Sequence, residues 1–356
     1  MSSRMVAVKE VTPGNILADT VLSFSGKILL SKDVILTPRH ISLLISWNVQ
    51  NVFIKTEEEQ PVTQPSQEAV IMEEYQQFIQ EYQSIVTDIT RTFDIIKRRN
   101  KIPVLHLQDT AGNIYSFITD NGSAAINYLL ANNCQITDFV TQHSITVASF
   151  AGIIARQLKW CEVDIKGVAL AGLLHDVGSL VAKKVDRTSD HSCIAEAAAL
   201  LKNTLGLTNE VILGIIQHRE YNDGSGFPIG ADSTIIHPYA KVIAICDTFH
   251  KQSYIAEHAN PFSALNILAN EMFGKLDPAM CHAFINRVRD SVLNTKIVFS
   301  DGQEAEIIYF HPNGSHLPVI RTTDNQIIDL SKHYDDKMMH RVVSLGSPSM
   351  PLKVVT

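Results

Sequence analysis

The stretch VALAGLLHDVG, residues 168–178, sets the reading of the whole chain. Seven small or apolar residues lead straight into adjacent His175 and Asp176, and Gly178 follows as the expected helix stop. Two ionisable groups at the end of a buried helix are costly unless they are paired or bound to a metal. An adjacent His and Asp at a helix end can turn toward one point, and a carboxylate can bridge two ions.

The same pattern recurs on both sides. In DFVTQHSITVASFAGIIARQL, residues 138–158, Phe139, His143, Val147, Phe150 and Ile154 share one helical stripe, so His143 faces the core. His191 precedes the helical run CIAEAAALLK. His218 closes NEVILGIIQH, and Asp247 closes AKVIAICD. Each residue alone is as well explained by a satisfied core histidine or a polar cap. Together they place a His or Asp on the inward side of five successive helices or helix ends. Separations of 16–32 residues exclude a local metal finger and suit a site assembled inside a helix bundle. Neutral imidazoles and carboxylates suit iron, manganese or similar divalent ions. Two such ions about 3.5–4 Å apart can activate a water and stabilise an in-line phosphoryl transition state.

The ordered set H…HD…H…H…D is similar to the HD phosphohydrolase superfamily. HREYNDGSGFP, residues 218–228, resembles the HHExxDGxGYP signature of its HD-GYP branch. The resemblance spans about residues 135–290 and implies a mainly α fold, an HD-type helical bundle. It also implies a cytoplasmic signalling enzyme that uses divalent metal ions, one or two here, to hydrolyse cyclic di-GMP or a related cyclic dinucleotide to pGpG or GMP. Carried over by position, His143, His175, Asp176 and Asp247 would hold a first ion, and Asp176, His191 and His218 a second. Asp176, Ser179 and Arg219 become the candidate catalytic residues. Asp223, Gly224, Gly226, Phe227, Pro228 and Lys183 become the candidate substrate contacts.

Several positions depart from the family pattern. Arg219 stands where a second histidine ligand belongs, and a guanidinium cannot ligate a cation. Ser179 replaces the HDxGK lysine, Phe227 the GYP tyrosine, and Phe139 an acid that some members use for a third metal. His250-Lys251-Gln252-Ser253-Tyr254 replaces the DAL…RPY continuation, and the stretch from Asp176 to His191 is short. His250, one helical turn from Asp247, is a candidate replacement ligand. Lys183, Lys184 and Arg187 are candidates for the missing lysine. Alternatives to the enzyme are a degenerate module that binds nucleotide or a signalling partner without turnover, and the metal-free HDOD modules, whose GLLHDIGKL stretch residues 172–180 also resemble.

Around this core, residues 1–56 read as a small α/β module with a helix starting at Thr37-Pro38. Residues 57–68, EEEQPVTQPSQE, read as a linker. Residues 69–132 read as helical, with Tyr75, Phe78, Tyr82, Ile85 and Ile89 on a face that packs on the core or on a second copy in a homodimer. The HD-like domain takes residues 133–290. Residues 291–335 read as a small β unit with turns at Ser300-Asp301-Gly302 and Pro312-Asn313-Gly314, and 336–356 as an irregular tail.

Composition agrees with an ordered, globular chain. Of 356 residues, 45% are apolar and 19% charged, enough to build a core. A net charge of −7 argues against a nucleic-acid polymer as partner. No apolar run reaches membrane-spanning length, and MSSRMVAVKE lacks the apolar stretch of a signal peptide. The five cysteines form no C-x-x-C pair and read as buried, reduced thiols.

Overall fold

A computed structural model describes residues 3–22, 28–46, 49–55, 67–131, 139–182, 190–254, 260–299, 302–312, 316–332 and 342–346. They fall into two compact units, Met1–Glu73 and Glu74–Thr356.

The first unit runs β1 (Ser3–Ala7), β2 (Val21–Leu22), β3 (Ile28–Leu30), α1 (Pro38–Ser46), β4 (Asn51–Lys55). Strands β1 and β4 pair antiparallel with Val6 opposite Val52, and both side chains join Leu17, Leu36 and Leu44 in a small core. Helix α1 starts where the sequence predicts: the His40 amide donates to Thr37 Oγ1 at 3.3 Å.

The second unit is mainly α. Its helices are α2 (Gln67–Arg99, in this unit from Glu74 onward), α3 (Val104–Ala131), α4 (Phe139–Gln157), α5 (Glu162–Leu174), α6 (Val177–Val181), α7 (Asp190–Lys202), α8 (Asn209–Ile216), α9 (Pro238–Tyr254), α10 (Pro261–Glu271) and α11 (Pro278–Val292). Helix α5 is buried without interruption from Val168 to Leu174, as a helix apolar on all sides must be. Helix α4 is buried from Thr141 to Ala155. The two meet closely, because a Cβ on Gly172 would lie 2.8 Å from Ala148 Cα. Phe150, Phe249 and Phe284 pack edge to face at centroid distances of 4.9–5.5 Å and tie α4, α9 and α11 together. Helix α2 packs on this core through Phe78, Tyr82, Ile85, Ile89, Phe93 and Ile96. The packing resolves the choice between core and dimer face for those residues. The side chain of Tyr75 lies outside the described residues.

The chain then forms β5 (Lys296–Phe299), β6 (Glu304–Phe310), β7 (Pro318–Thr322), β8 (Ile327–Asp329) and β9 (Val342–Gly346), in the sheet order β8-β7-β6-β5-β9. The turn before β6 uses Gly302 at φ 80°, in the left-handed region open to glycine.

Three sequence expectations need correcting. Gly178 is not a helix stop. It lies inside α6, and its missing Cβ admits the Cys193 carbonyl of α7, whose oxygen would otherwise lie 1.8 Å from that carbon. The stretch read as an irregular tail contains β9, which pairs antiparallel with β5. Cys161 is exposed, because it is the residue that opens α5 at the surface. Cys246 and Cys281 are buried as expected, and Cys193 is half-buried. Cys134, the linker residues 57–66 and the turn residues Ser300, Asp301, Asn313 and Gly314 lie outside the described residues.

Candidate metal centre

The buried run of α4 presents His143 inward, one helical turn beyond half-exposed Phe139. The apolar α5 ends at His175, and Asp176 sits at the start of α6. Helix α9 contributes Asp247 from its middle. The chain thus folds four distant donors onto one point. Ligand atoms of His143, His175, Asp176 and Asp247 lie within 4.8 Å of one another. His143 Nε2 is 3.0 Å from His175 Nε2, 3.2 Å from Asp247 Oδ1 and 3.5 Å from Asp176 Oδ2. His175 Nε2 is 3.2 Å from Asp176 Oδ2. Metal–ligand bonds of about 2.1 Å place neighbouring donors about 3.0–3.4 Å apart, so these spacings match the edges of a coordination shell.

The back side of each imidazole is held. His175 Nδ1 donates to the Gly172 carbonyl at 2.8 Å, which leaves Nε2 as the lone-pair atom facing the cluster. His143 Nδ1 meets His250 Nδ1 at 3.0 Å. Lys251 Nζ contacts Asp247 Oδ2 at 2.7 Å, while the buried Asp247 Oδ1 receives no hydrogen bond. A buried carboxylate oxygen that faces imidazole nitrogens without a formed hydrogen bond is explained if it is meant for a cation. The donor set, two imidazoles and two carboxylates, suits a divalent transition metal. The residues present therefore fit a metal ion.

Charge in the centre points the same way. Burial pushes the Asp247 carboxyl up, but His143, His175 and Lys251 outweigh it and hold it well below the usual carboxylate range. Asp176 is likewise held low, against burial, by His175, His143 and His218. Burial also disfavours a proton on His175, yet Asp176 and Asp247 raise its pKa to about 9. Two ionised carboxylates thus draw positive charge into this pocket. Burial, with His143 beside it, lowers His250 to about 3, so that ring is neutral.

The HD domain family matches residues 126–280. Among curated proteins, the chain is 20% identical over 253 residues to a cyclic di-GMP phosphodiesterase of Pseudomonas aeruginosa, covering 65% of this chain and 61% of that protein. It is 20% identical over 339 residues to the cyclic di-GMP phosphodiesterase PdeB of Borreliella burgdorferi, covering 89% and 86% of the two chains. It is 29% identical over 168 residues to a 3'3'-cGAMP-specific phosphodiesterase of Vibrio cholerae, covering 43% of this chain and 39% of that one. Among solved structures, an HDG"Y"P protein from Bdellovibrio bacteriovorus is similar with a TM-score of 0.49 at 17% identity, covering 80% of this chain and 98% of that one. Residues 126–280 thus match an HD domain.

Within this HD domain, the residues expected at a second ion are brought together only in part. His218 Nε2 lies 3.6 Å from Asp176 Oδ1. Its Nδ1 donates to the Ile215 carbonyl at 2.7 Å, and its Nε2 accepts from Arg219 Nε at 2.9 Å. His191 is exposed and lies against the Phe227 ring at a centroid distance of 4.2 Å. The geometry does not bring it into the donor cluster. His250 sits behind His143 and is not one of the clustered donors either.

Ser179 Oγ donates to the Asp176 carbonyl at 2.7 Å. Ser179, Arg219 and Lys251 line a cavity of ≈ 240 Å³ together with Asp176 and Cys193. The Asp223 carboxylate accepts from both the amide and the hydroxyl of Ser225, which fold it into its own turn. Gly224 at φ 74° allows that turn. Gly226 crosses so close to Glu220 that a Cβ would lie 2.4 Å from its Cα. Pro228 is exposed on the same loop. Lys183, Lys184 and Arg187 lie outside the described residues.

Sequence reasoning gave no role to two residues that shape the site. Lys251 is one turn after Asp247, a spacing at which opposite charges meet on a helix, and that was the available signal. Glu220 lies within the quoted signature. It is buried, and its carboxylate accepts the Ile229 amide at 2.7 Å and the Ala231 amide at 2.9 Å, which clamps the glycine-rich loop against the core.

Among the described residues, no helix is long and apolar enough to cross a membrane.

Proposed function

We propose that this HD domain is a metal-dependent phosphodiesterase acting on a cyclic dinucleotide, with cyclic di-GMP the first substrate to test. The observation that carries the reading is the buried cluster of His143, His175, Asp176 and Asp247, with one oxygen of Asp247 left for a cation. The named activities of the Pseudomonas and Borreliella relatives supply the substrate class. The chain spans 61% of the Pseudomonas relative's length.

A divalent ion bound by those four residues would polarise a phosphoryl oxygen and acidify a water. Iron and manganese both suit the donor set. The protein's own groups do the rest. Asp176 and Asp247 stay ionised and would hold the ion, and the Gly172 carbonyl and His250 fix the ring planes of His175 and His143. Arg219 and Lys251 place positive charge along the cavity wall, where an anionic phosphodiester would lie. Ser179, too short to reach as the family lysine would, contributes a hydroxyl to the same wall.

The test is to load the purified chain with Mn(II) or Fe(II) and follow linear dinucleotide formed from cyclic di-GMP. Turnover that disappears in Asp176→Ala is the expected result. Absence of product from protein with verified bound metal would overturn it. Binding of the dinucleotide without turnover is the second reading, favoured by Arg219 beside Asp176 and by the exposure of His191. Calorimetric binding with no product would establish it.

A further inference from the structure

We infer that the Arg219 guanidinium occupies the place of a second cation, so that the centre binds a single divalent ion per chain. The inference rests on the metal-binding reading above and requires no particular substrate or reaction.

The two oxygens of Asp176 face opposite ways. Oδ2 points to His175 and His143, at 3.2 and 3.5 Å. Oδ1 points to His218 at 3.6 Å and to Arg219 Nη2 at 3.5 Å. A carboxylate so placed has a cation on each side, and on the Oδ1 side that cation is the guanidinium. Arg219 is held there by three of its nitrogens. Nε donates to His218 Nε2 at 2.9 Å, Nη2 faces Asp176, and Nη1 lies 3.7 Å from Asp247 Oδ2.

His218 has only one lone pair left for a metal. Its Nδ1–H is engaged by the Ile215 carbonyl, so Nε2 is the acceptor, and Arg219 Nε–H occupies it. A guanidinium does not deprotonate in a protein, so it can neither ligate an ion nor lose its charge to admit one. The charge balance agrees. Arg219 and Lys251 already match the carboxylates of Asp176 and Asp247. One divalent ion therefore leaves the centre positive by two charges, suited to a phosphate ligand. A second ion would leave it positive by four.

The experiment is a metal count on the full chain, purified without chelator, equilibrated with Mn(II) and analysed by elemental mass spectrometry and electron paramagnetic resonance. One manganese per wild-type chain with the spectrum of an isolated ion is expected. Arg219→His should take a second manganese and show the exchange-coupled spectrum of a pair. Arg219→Gln, which frees His218 Nε2 and removes the charge, should take a second ion more weakly and serves if Arg219→His does not fold. Two ions in the wild type would overturn the inference and leave the phosphodiesterase reading standing. So would one ion in both folded variants. No bound metal in the wild type would overturn both. One ion with no turnover would sink the phosphodiesterase reading and uphold this one.

Discussion

At Asp247 three demands meet on one side chain. Helix α9 buries it, Lys251 holds one oxygen, and the other faces His143 with no hydrogen bond. The sequence showed the carboxylate at the end of an apolar run but not the lysine that steadies it. His250 is the clearer lesson. Its spacing from Asp247 made it a candidate ligand, whereas it stands behind His143, ring nitrogen to ring nitrogen. An outer partner of this kind typically contributes 10–100-fold to metal affinity. His250→Ala should therefore weaken Mn(II) binding by about 10–100-fold while one ion per chain remains the saturating count, as measured by competitive titration. Glu220 acts differently. Its carboxylate serves two loop amides, and a donor left unsatisfied costs about 1–3 kcal/mol. Glu220→Ala should lower stability by about 2–3 kcal/mol, read as a drop in urea midpoint at unchanged slope.

Among elements, the contacts that aim the donors are made by small residues. Gly172 lets α5 approach α4, and Gly178 lets α6 approach α7. The helices α4, α8 and α9 were legible because each runs long enough for apolar residues to recur on a face, and α5 because its apolar run is unbroken. Helix α6 was not, since five residues leave no period to read. Strand β9 escaped for another reason: an edge strand takes its meaning from a partner, β5, that lies far away in the chain. Gly178→Ala should act locally. Its new carbon would meet the Cys193 carbonyl, and α6 must shift away, carrying Ser179 with it. Overpacking of this kind costs about 1–3 kcal/mol. The expected outcome is a lower thermal midpoint together with weaker metal binding, since Asp176 opens α6. A drop in midpoint with metal affinity unchanged would show that the two helices are not coupled to the centre.

Over the whole molecule, depth of burial separates the cysteines that the sequence grouped together. Burial pushes Cys281 up to about 12, and Cys246, beside Asp247 as well as buried, well above its ordinary value. Cys161 is at the surface and Cys193 lines the cavity. At pH 8 a thiol reagent should label Cys161 and Cys193 in the folded chain, and Cys246 and Cys281 only after unfolding, as peptide mapping would show. The sign of the pH effect follows. The unfolded chain releases these two protons near pH 8.5, while the fold retains them. Stability should therefore fall as pH rises above about 8.5, continuing toward the folded values.

Sequence alone determined the helical class and proposed six ligands, four of which, His143, His175, Asp176 and Asp247, lie together in the fold. Periodic burial and the cost of a charged group on an apolar face are local properties of the chain, and they suffice for this much. Tertiary structure decided the rest. It left His191 at the surface against Phe227, put His250 behind His143, and seated Arg219 between His218 and Asp176. These outcomes depend on the direction and reach of side chains from different helices. Such distances are set by packing across the core, and no spacing along the chain encodes them.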